Sequence, residues 1–203
     1  MAPVPSDASL KGVAVAVVTD NKDPDDLCRV KVRYPSHDGV RESYWARLAV
    51  PMAGNDRGVL LIPEVGDEVL VAFERGDLRY PYVLGALWNA KDKPPLANSD
   101  GKNDKRILKS RKGHRLLFDD GAQGVVEVSH VDGRRVVFDD DGIRVEDAAG
   151  NQITIESASG AMSIQANGAL SIKAATITIE ATGTLDLKTS TTLTLRGALV
   201  NIN

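Results

Sequence analysis

Cysteine is almost absent from this chain: Cys28 is the only one in 203 residues. A single thiol excludes an internal disulfide framework and any multi-cysteine metal site, and it reads as a small buried hydrophobe in a strand. Aromatic residues are 4% of the chain and none follows Phe138, while all nine prolines precede Leu96. No run approaches the ~20 apolar residues of a membrane-spanning helix. The first residues carry Pro3 and Pro5 and no apolar core, so no secretory signal is expected and synthesis in the cytoplasm is. A net charge of -3 gives no overall attraction to nucleic acid or anionic lipid. Two kinds of polymer are joined here, an ordinary front half and a plain back half without aromatics.

The front half alternates strand-like runs with turn residues. Residues 13–19 are a β-branched run closed by a polar turn at 20–26. Across 28–34, Cys28, Val30, Val32 and Tyr34 fall on one face, and Arg29, Lys31 and Arg33 on the other. That period of two marks a half-buried strand. Residues 44–50, the apolar run 59–62, residues 68–73 and residues 83–88 complete the set. Five or so short strands in about 80 residues, with no long amphipathic helix, predict a small closed or nearly closed barrel of the OB type. Trp45 and Trp88 are expected as core or interface anchors.

The back half repeats one small unit: apolar, polar, apolar, then a turn of small residues. The pairs are Ile153/Ile155, Met162/Ile164, Leu170/Ile172, Ile177/Ile179, Leu185/Leu187, Leu193/Leu195 and Val200/Ile202. Their starts lie 9, 8, 7, 8, 8 and 7 residues apart. Odd spacings flip the parity of the pleat, so one continuous strand would turn alternate pairs to opposite faces. The chain must therefore bend between pairs. Seven short strands wound alone would make only two or three coils with little interior, too few for a stable single-chain solenoid. Three chains wound together give each strand neighbours and converge the apolar pairs on one axis. Narrowness explains the missing aromatics, and the Thr, Ser, Lys and Glu between the apolar positions suit a solvated β surface. A flexible small-residue linker does not place seven apolar pairs in order.

Gly66-Asp67-Glu68-Val69-Leu70-Val71-Ala72-Phe73, then Gly76-Asp77, Pro81 and Val83-Leu84-Gly85-Ala86-Leu87-Trp88, carry a resemblance. With the 30–35 strand and Trp45-Ala46-Arg47, they resemble the OB domain of contractile-injection spikes: the phage baseplate spike family and the VgrG-like proteins of type VI secretion and phage-tail-like particles. In that family a triangular β-helix follows the barrel, which agrees with the repeat. The expected fold is thus all-β: an OB-fold barrel followed by a C-terminal triangular, intertwined trimeric β-helix. The expected organisation is a leader at 1–9, the OB domain at 10–90, a linker at 91–112 and a needle at 113–203. Within the needle, residues 113–150 are a wider base and 151–203 the octad-like repeats. In the base, Arg115-Leu-Leu-Phe-Asp-Asp-Gly121 recurs as Arg135-Val-Val-Phe-Asp-Asp-Asp-Gly142, two strands each ending in an Asp-Gly turn, wide enough for Phe118 and Phe138.

Candidate chemistry is sparse. Asp119-Asp120 and Asp139-Asp140-Asp141 have carboxylates for a divalent cation but read as turn acids, and their glycine spacing fails the calcium-loop pattern. The basic cluster Lys102, Lys105, Arg106, Lys109, Arg111, Lys112 and Arg115 reads as a solvated collar, since no aromatics are interleaved for stacking on bases. Arg75-Gly76-Asp77 is hairpin-turn chemistry rather than an adhesion signal. His37, His114 and His130 read as isolated, with no nucleophile and orienting acid beside them. No catalytic residue, cofactor site or metal site is expected, and no enzyme.

The function expected is a structural central spike of a contractile injection machine (phage tail, phage-tail-like particle or type VI secretion) that pierces a target envelope. The axis-packing residues are Ile143, Val145, Ile153, Ile155, Met162, Ile164, Leu170, Ile172, Ile177, Ile179, Leu185, Leu187, Leu193 and Leu195. By resemblance, the partners are two further copies in a homotrimer, the baseplate hub and inner-tube proteins, and transiently the target membrane; nucleic acid is not expected. The last residues hold no histidine, unlike the iron-binding apex of some phage spikes. The resemblance therefore implies a separate cone-shaped PAAR-type tip protein against Leu199, Val200 and Ile202. The finished particle would be a virion or injection device with this chain at its baseplate. The large hub domain that VgrG-like proteins carry before the barrel is not in this sequence, so either another protein supplies it or the chain is a fragment. Two other classes remain beside this one. One is a glycan- or nucleic-acid-binding OB module trimerised by a β-helical stalk. The other is a β-helical polysaccharide lyase, which calls for more charge along one face than the repeat carries.

Overall fold

The computed structural model describes residues 12–35 and 42–202. The expected leader at 1–9 and His37 lie outside the described residues. The chain divides into two units between Ile107 and Leu108.

The first unit is built from β1 (Val13–Asp20), β2 (Lys31–Arg33), β3 (Arg47–Leu48), β6 (Glu68–Phe73) and β7 (Pro81–Leu87), in sheet order β2-β1-β6-β7-β3. All pairs are antiparallel except β3 with β7. Val30, just before β2, bridges Ala46, just before β3, through two backbone hydrogen bonds of 3.0 and 2.7 Å. That bridge joins the two edges of the sheet into a small barrel. Strict alternation in Glu68–Phe73 sends Val69, Val71 and Phe73 inward, where they meet Ala14, Ala16 and Val18 of β1 and Val30, Val32 and Tyr34. Small residues on β1 leave room for Tyr34 and Phe73, whose rings tilt against each other with centroids 5.7 Å apart.

Two expectations fail here. Cys28 is not a buried strand residue: it sits at φ +56° and is partly exposed, and β2 begins only at Lys31. The cause is Asp23. Its buried carboxylate accepts the backbone N–H groups of Asp25, Leu27 and Arg29 and the Arg29 guanidinium, so residues 23–29 wrap an acid instead of extending a strand. The apolar run 59–62 also makes no barrel strand. A separate hairpin of β4 (Ala53–Gly54) and β5 (Arg57–Gly58) precedes it, and only Ile62 of the run packs against the core. Trp88 follows the end of β7 and is 70% exposed, outside the core.

The second unit is an antiparallel meander whose first strand, β8 (Lys105–Lys109), spans the division between the units. After it come β9 (Arg115–Asp119), β10 (Val125–Ser129), β11 (Arg135–Asp139), β12 (Gly142–Glu146), β13 (Gln152–Glu156) and β14 (Met162–Gln165), paired in chain order. β8 falls inside the segment read as linker. A two-residue turn joins β11 to β12, where Asp139 faces Gly142, and five-residue turns, each containing Gly, join the other strands. Among the described residues, 166–202 form no strand within the single chain, and nearly all their side chains are exposed.

Candidate functional site

The sheet registers sort the second unit's side chains onto two unlike faces. Leu116 pairs with Val128, Val128 with Val136, Val136 with Val145, Val145 with Ile153, and Ile153 with Ile164. Two residues along, Phe118 pairs with Val126, Val126 with Phe138, Phe138 with Ile143, Ile143 with Ile155, and Ile155 with Met162. Because side chains alternate along a strand, positions two apart share a face. Two parallel columns of six apolar side chains therefore cross six strands on the same side of the sheet.

The opposite face holds Leu117 and the buried Val137 but is otherwise mostly polar and tied together. The Arg115 guanidinium donates to Glu127 at 2.7 Å and to Ser129 at 2.9 Å. Arg144 donates to Asp139 at 2.5 Å, Arg135 to Glu146, and Gln152 to Gln165 at 3.2 Å. Burial acts to raise the Glu127 carboxyl, but the Ser129 hydrogen bond, the Arg115 guanidinium and the charge of Arg135 outweigh it and hold the group below its ordinary value. The Arg144 hydrogen bond does the same for Asp139.

The inversion of burial is the informative fact. Glu127 and Ser129 on the polar face are buried, whereas Val128 between them is 54% exposed and Ile153 39%. Phe118, Phe138, Val145, Ile155, Met162 and Ile164 are exposed as well. A contiguous apolar face of this extent is not left in water by a chain that works alone. Val128, Val136, Val145, Ile153, Ile164 and Leu170 line one open apolar hollow on it.

Of the axis residues expected from sequence, the registers bring together Ile143, Val145, Ile153, Ile155, Met162 and Ile164. Leu170, Ile172, Ile177, Ile179, Leu185, Leu187, Leu193 and Leu195 are exposed and outside any strand of the single chain, as are Leu199, Val200 and Ile202. Phe118 and Phe138, expected in the base of the needle, lie on the same face, and four residues of it escaped the sequence reading: Leu116, Val126, Val128 and Val136. Their signal lies in the alternation of residues 125–129 and in the twenty-residue recurrence.

The remaining candidates fall into ordinary roles. Asp119 accepts the Gly121 N–H, and Asp139 those of Asp141 and Gly142, so both acid runs are turn acids. Asp77 binds the Arg79 backbone and guanidinium, which hold its carboxyl below the usual range. Among the described residues no three His, Cys, Asp or Glu side chains converge as metal ligands. His114 and His130, read as isolated, are not: their rings stack with centroids 4.2 Å apart. The β9–β10 pairing carries position 114 opposite position 130, two residues beyond Leu116 and Val128, at the rim of the apolar hollow. The Val131 N–H donates to His114 Nδ1 at 3.3 Å, and His130 Nδ1 lies 2.7 Å from Asp132.

Residues 14–88 match the family described as the type VI secretion system/phage-baseplate injector OB domain. The barrel unit is similar to the OB domain of the VgrG-like spike proteins. The chain is 36% identical over 107 residues to the type VI secretion system spike protein VgrG3 of Vibrio cholerae, covering 48% of this chain and 10% of that protein. It is 35% identical over 104 residues to the spike protein VgrG2a of Pseudomonas aeruginosa, covering 47% of this chain and 12% of that one. It is also 29% identical over 124 residues to the actin cross-linking toxin VgrG1 of V. cholerae, covering 55% of this chain and 11% of the toxin. The chain thus spans about a tenth of the length of these relatives. Among the described residues no helix is long and apolar enough to cross a membrane.

Proposed function

We propose that this chain is a non-enzymatic structural component of the central spike of a contractile injection machine, a homotrimer whose β-structured needle is driven into a target envelope. One observation carries the reading: the two-column apolar face, which ends in the first two apolar pairs, lies open on the single chain and leads into the other five, and both follow an injector OB barrel. Three copies bring these faces together on one axis. A fully buried Ile, Leu or Val contributes about 1.5–3 kcal/mol relative to its exposed state, so dozens of such residues across three chains amount to a large association energy. Residues 166–202 gain their backbone partners only from the other copies, winding into the triangular β-helix. The rod is stiff because its hydrogen bonds run between chains and its axis is dry, and no catalytic residue is called for.

In this reading the barrel faces the baseplate hub and inner tube, and Leu199, Val200 and Ile202 meet a cone-shaped PAAR-type tip protein. Contact with the target membrane is transient, and nucleic acid has no role. The solution mass of the full chain tests the reading: three times the 21.7 kDa of one chain is expected. A monomer at micromolar concentration would sink it. A second reading, the glycan- or nucleic-acid-binding module on a trimeric stalk, draws on the exposed Trp88 beside Asn98, Asp100 and Asn103. Saturable binding of an oligosaccharide or oligonucleotide at physiological salt, lost in Trp88→Ala, would favour it.

A further inference from the structure

β1 is apolar on both faces, with Val13, Ala14, Val15, Ala16, Val17 and Val18 preceding its first polar side chain, Thr19. A strand with this pattern is ordinarily covered on both sides. Inward, Ala14, Ala16 and Val18 are buried in the barrel; outward, Val13 is 56% exposed and Val15 43%. The pairing widens the outward strip, setting Val13 beside Ala72, Val15 beside Leu70, and Leu70 beside Gly85. Nothing lies within 4 Å of where a Gly85 Cβ would stand, so the strip is open there. One end of it is charged: Val17 stands between Arg33 and Glu68.

The same unit carries a second apolar surface. β4 and β5 pair only with each other, apart from the barrel sheet, and a lone two-stranded hairpin is marginal in water. Around it Met52, Val59, Leu60 and Leu61 are exposed, Leu60 by 65%. The turn between the strands carries an acid, Asp56, and β5 opens on a base, Arg57. Gly58 closes the arm at φ +154°, where a Cβ would come within 2.5 Å of the Met52 carbonyl oxygen. The arm's shape is therefore set by its own backbone.

Two different apolar patches on one chain, each bordered by an acid and a base, are the two halves of a head-to-tail contact. A three-fold assembly needs a contact of this kind, since a patch that meets itself generates only two-fold pairs. We propose that the β4–β5 arm of one chain lies over the outward β1–β6 strip of a second copy, with Arg57 toward Glu68 and Asp56 toward Arg33. Three such contacts close a ring of barrels. The proposal rests on the trimeric reading and deepens it: the barrel units hold the copies together independently of the repeat.

Photo-crosslinking in the full chain tests it, with benzoylphenylalanine placed at position 60 in one preparation and at position 164 in another. Covalent dimers from position 60, joined to a peptide containing residues 13–20 or 68–73, are expected. Dimers from position 164 with only single-chain products from position 60 would overturn the arm contact and leave the axis reading standing. No dimers from either would overturn both. Charge exchange is the second arm of the test: Arg57→Glu lowers the dimer yield from position 60 severalfold, and Arg57→Glu with Glu68→Arg restores it. A yield unmoved by Arg57→Glu would overturn the assigned orientation.

Discussion

Ile153 stands opposite Ile164 across the β13–β14 hairpin, and both side chains open onto the same uncovered face. Val145 continues the column on the other side of Ile153. Pairing within one chain thus leaves both side chains exposed.

Ile164→Asp is expected to lower the solution mass of the full chain, or to raise the concentration at which it assembles, while the barrel still folds. Each copy loses about 1.5–3 kcal/mol of apolar burial and adds the cost of desolvating a carboxylate. Ile164→Val, a loss of one methylene, leaves the mass unchanged. Sedimentation velocity distinguishes these outcomes.

Asp23 organises the loop before β2, and the expected effect of Asp23→Asn depends on pH. The Arg29 side chain, opposed by burial and aided by the Asp25 and Arg29 N–H groups, holds the Asp23 carboxyl well below its usual 3.8. A depressed carboxylate stabilises the fold fully above its unfolded value, and that contribution fades as pH falls toward the folded value. Asp23→Asn should therefore melt lower than the parent at pH 7, and the gap should narrow below about pH 4. A gap constant from neutral to acid pH would show that the charge is not what organises the loop.

Gly142 cannot be replaced without moving backbone. At φ +145° its added Cβ would fall 1.9 Å from the Ile155 carbonyl oxygen on the neighbouring strand. Gly142→Ala is expected to cost about 1–3 kcal/mol from the backbone conformation alone, and more from the collision. Thermal unfolding followed by far-UV circular dichroism checks it, with Gly160→Ala, where a Cβ meets nothing within 4 Å, as the milder comparison.

At the C-terminal end, Val200→Asp with Ile202→Asp should leave the mass of the assembly unchanged and abolish co-purification with a cone-shaped tip protein. Loss of assembly together with tip binding would instead place these residues in the axis.

Legibility followed the reach of the forces involved. β6 could be read residue by residue, because strict alternation and burial agree in Glu68–Phe73. The start of β2 could not. Arg29 lies in an alternating pattern, but its N–H is taken by an acid six residues earlier, and alternation carries no record of that. The apolar pairs from Ile143 to Ile164 were visible as a repeat. Leu116, Val126, Val128 and Val136 were hidden because β9 and β11, on either side of β10, hold Phe118 and Phe138, which do not suit a narrow axis. The stacking of His114 on His130 needed the β9–β10 register, which joins positions sixteen residues apart and leaves no mark in either segment.

The two outer strands of the meander are unlike. β8 reads Lys-Arg-Ile-Leu-Lys with four of its five side chains exposed, and β14 reads Met-Ser-Ile-Gln with no charge at all. Lysine and arginine on a border strand repel an incoming strand of the same kind, whereas a neutral border invites one. The meander therefore has a guarded side and a receptive side. A further strand added by backbone pairing is expected beside β14, where the repeat begins, and the charged border at β8 works against open-ended growth of the sheet.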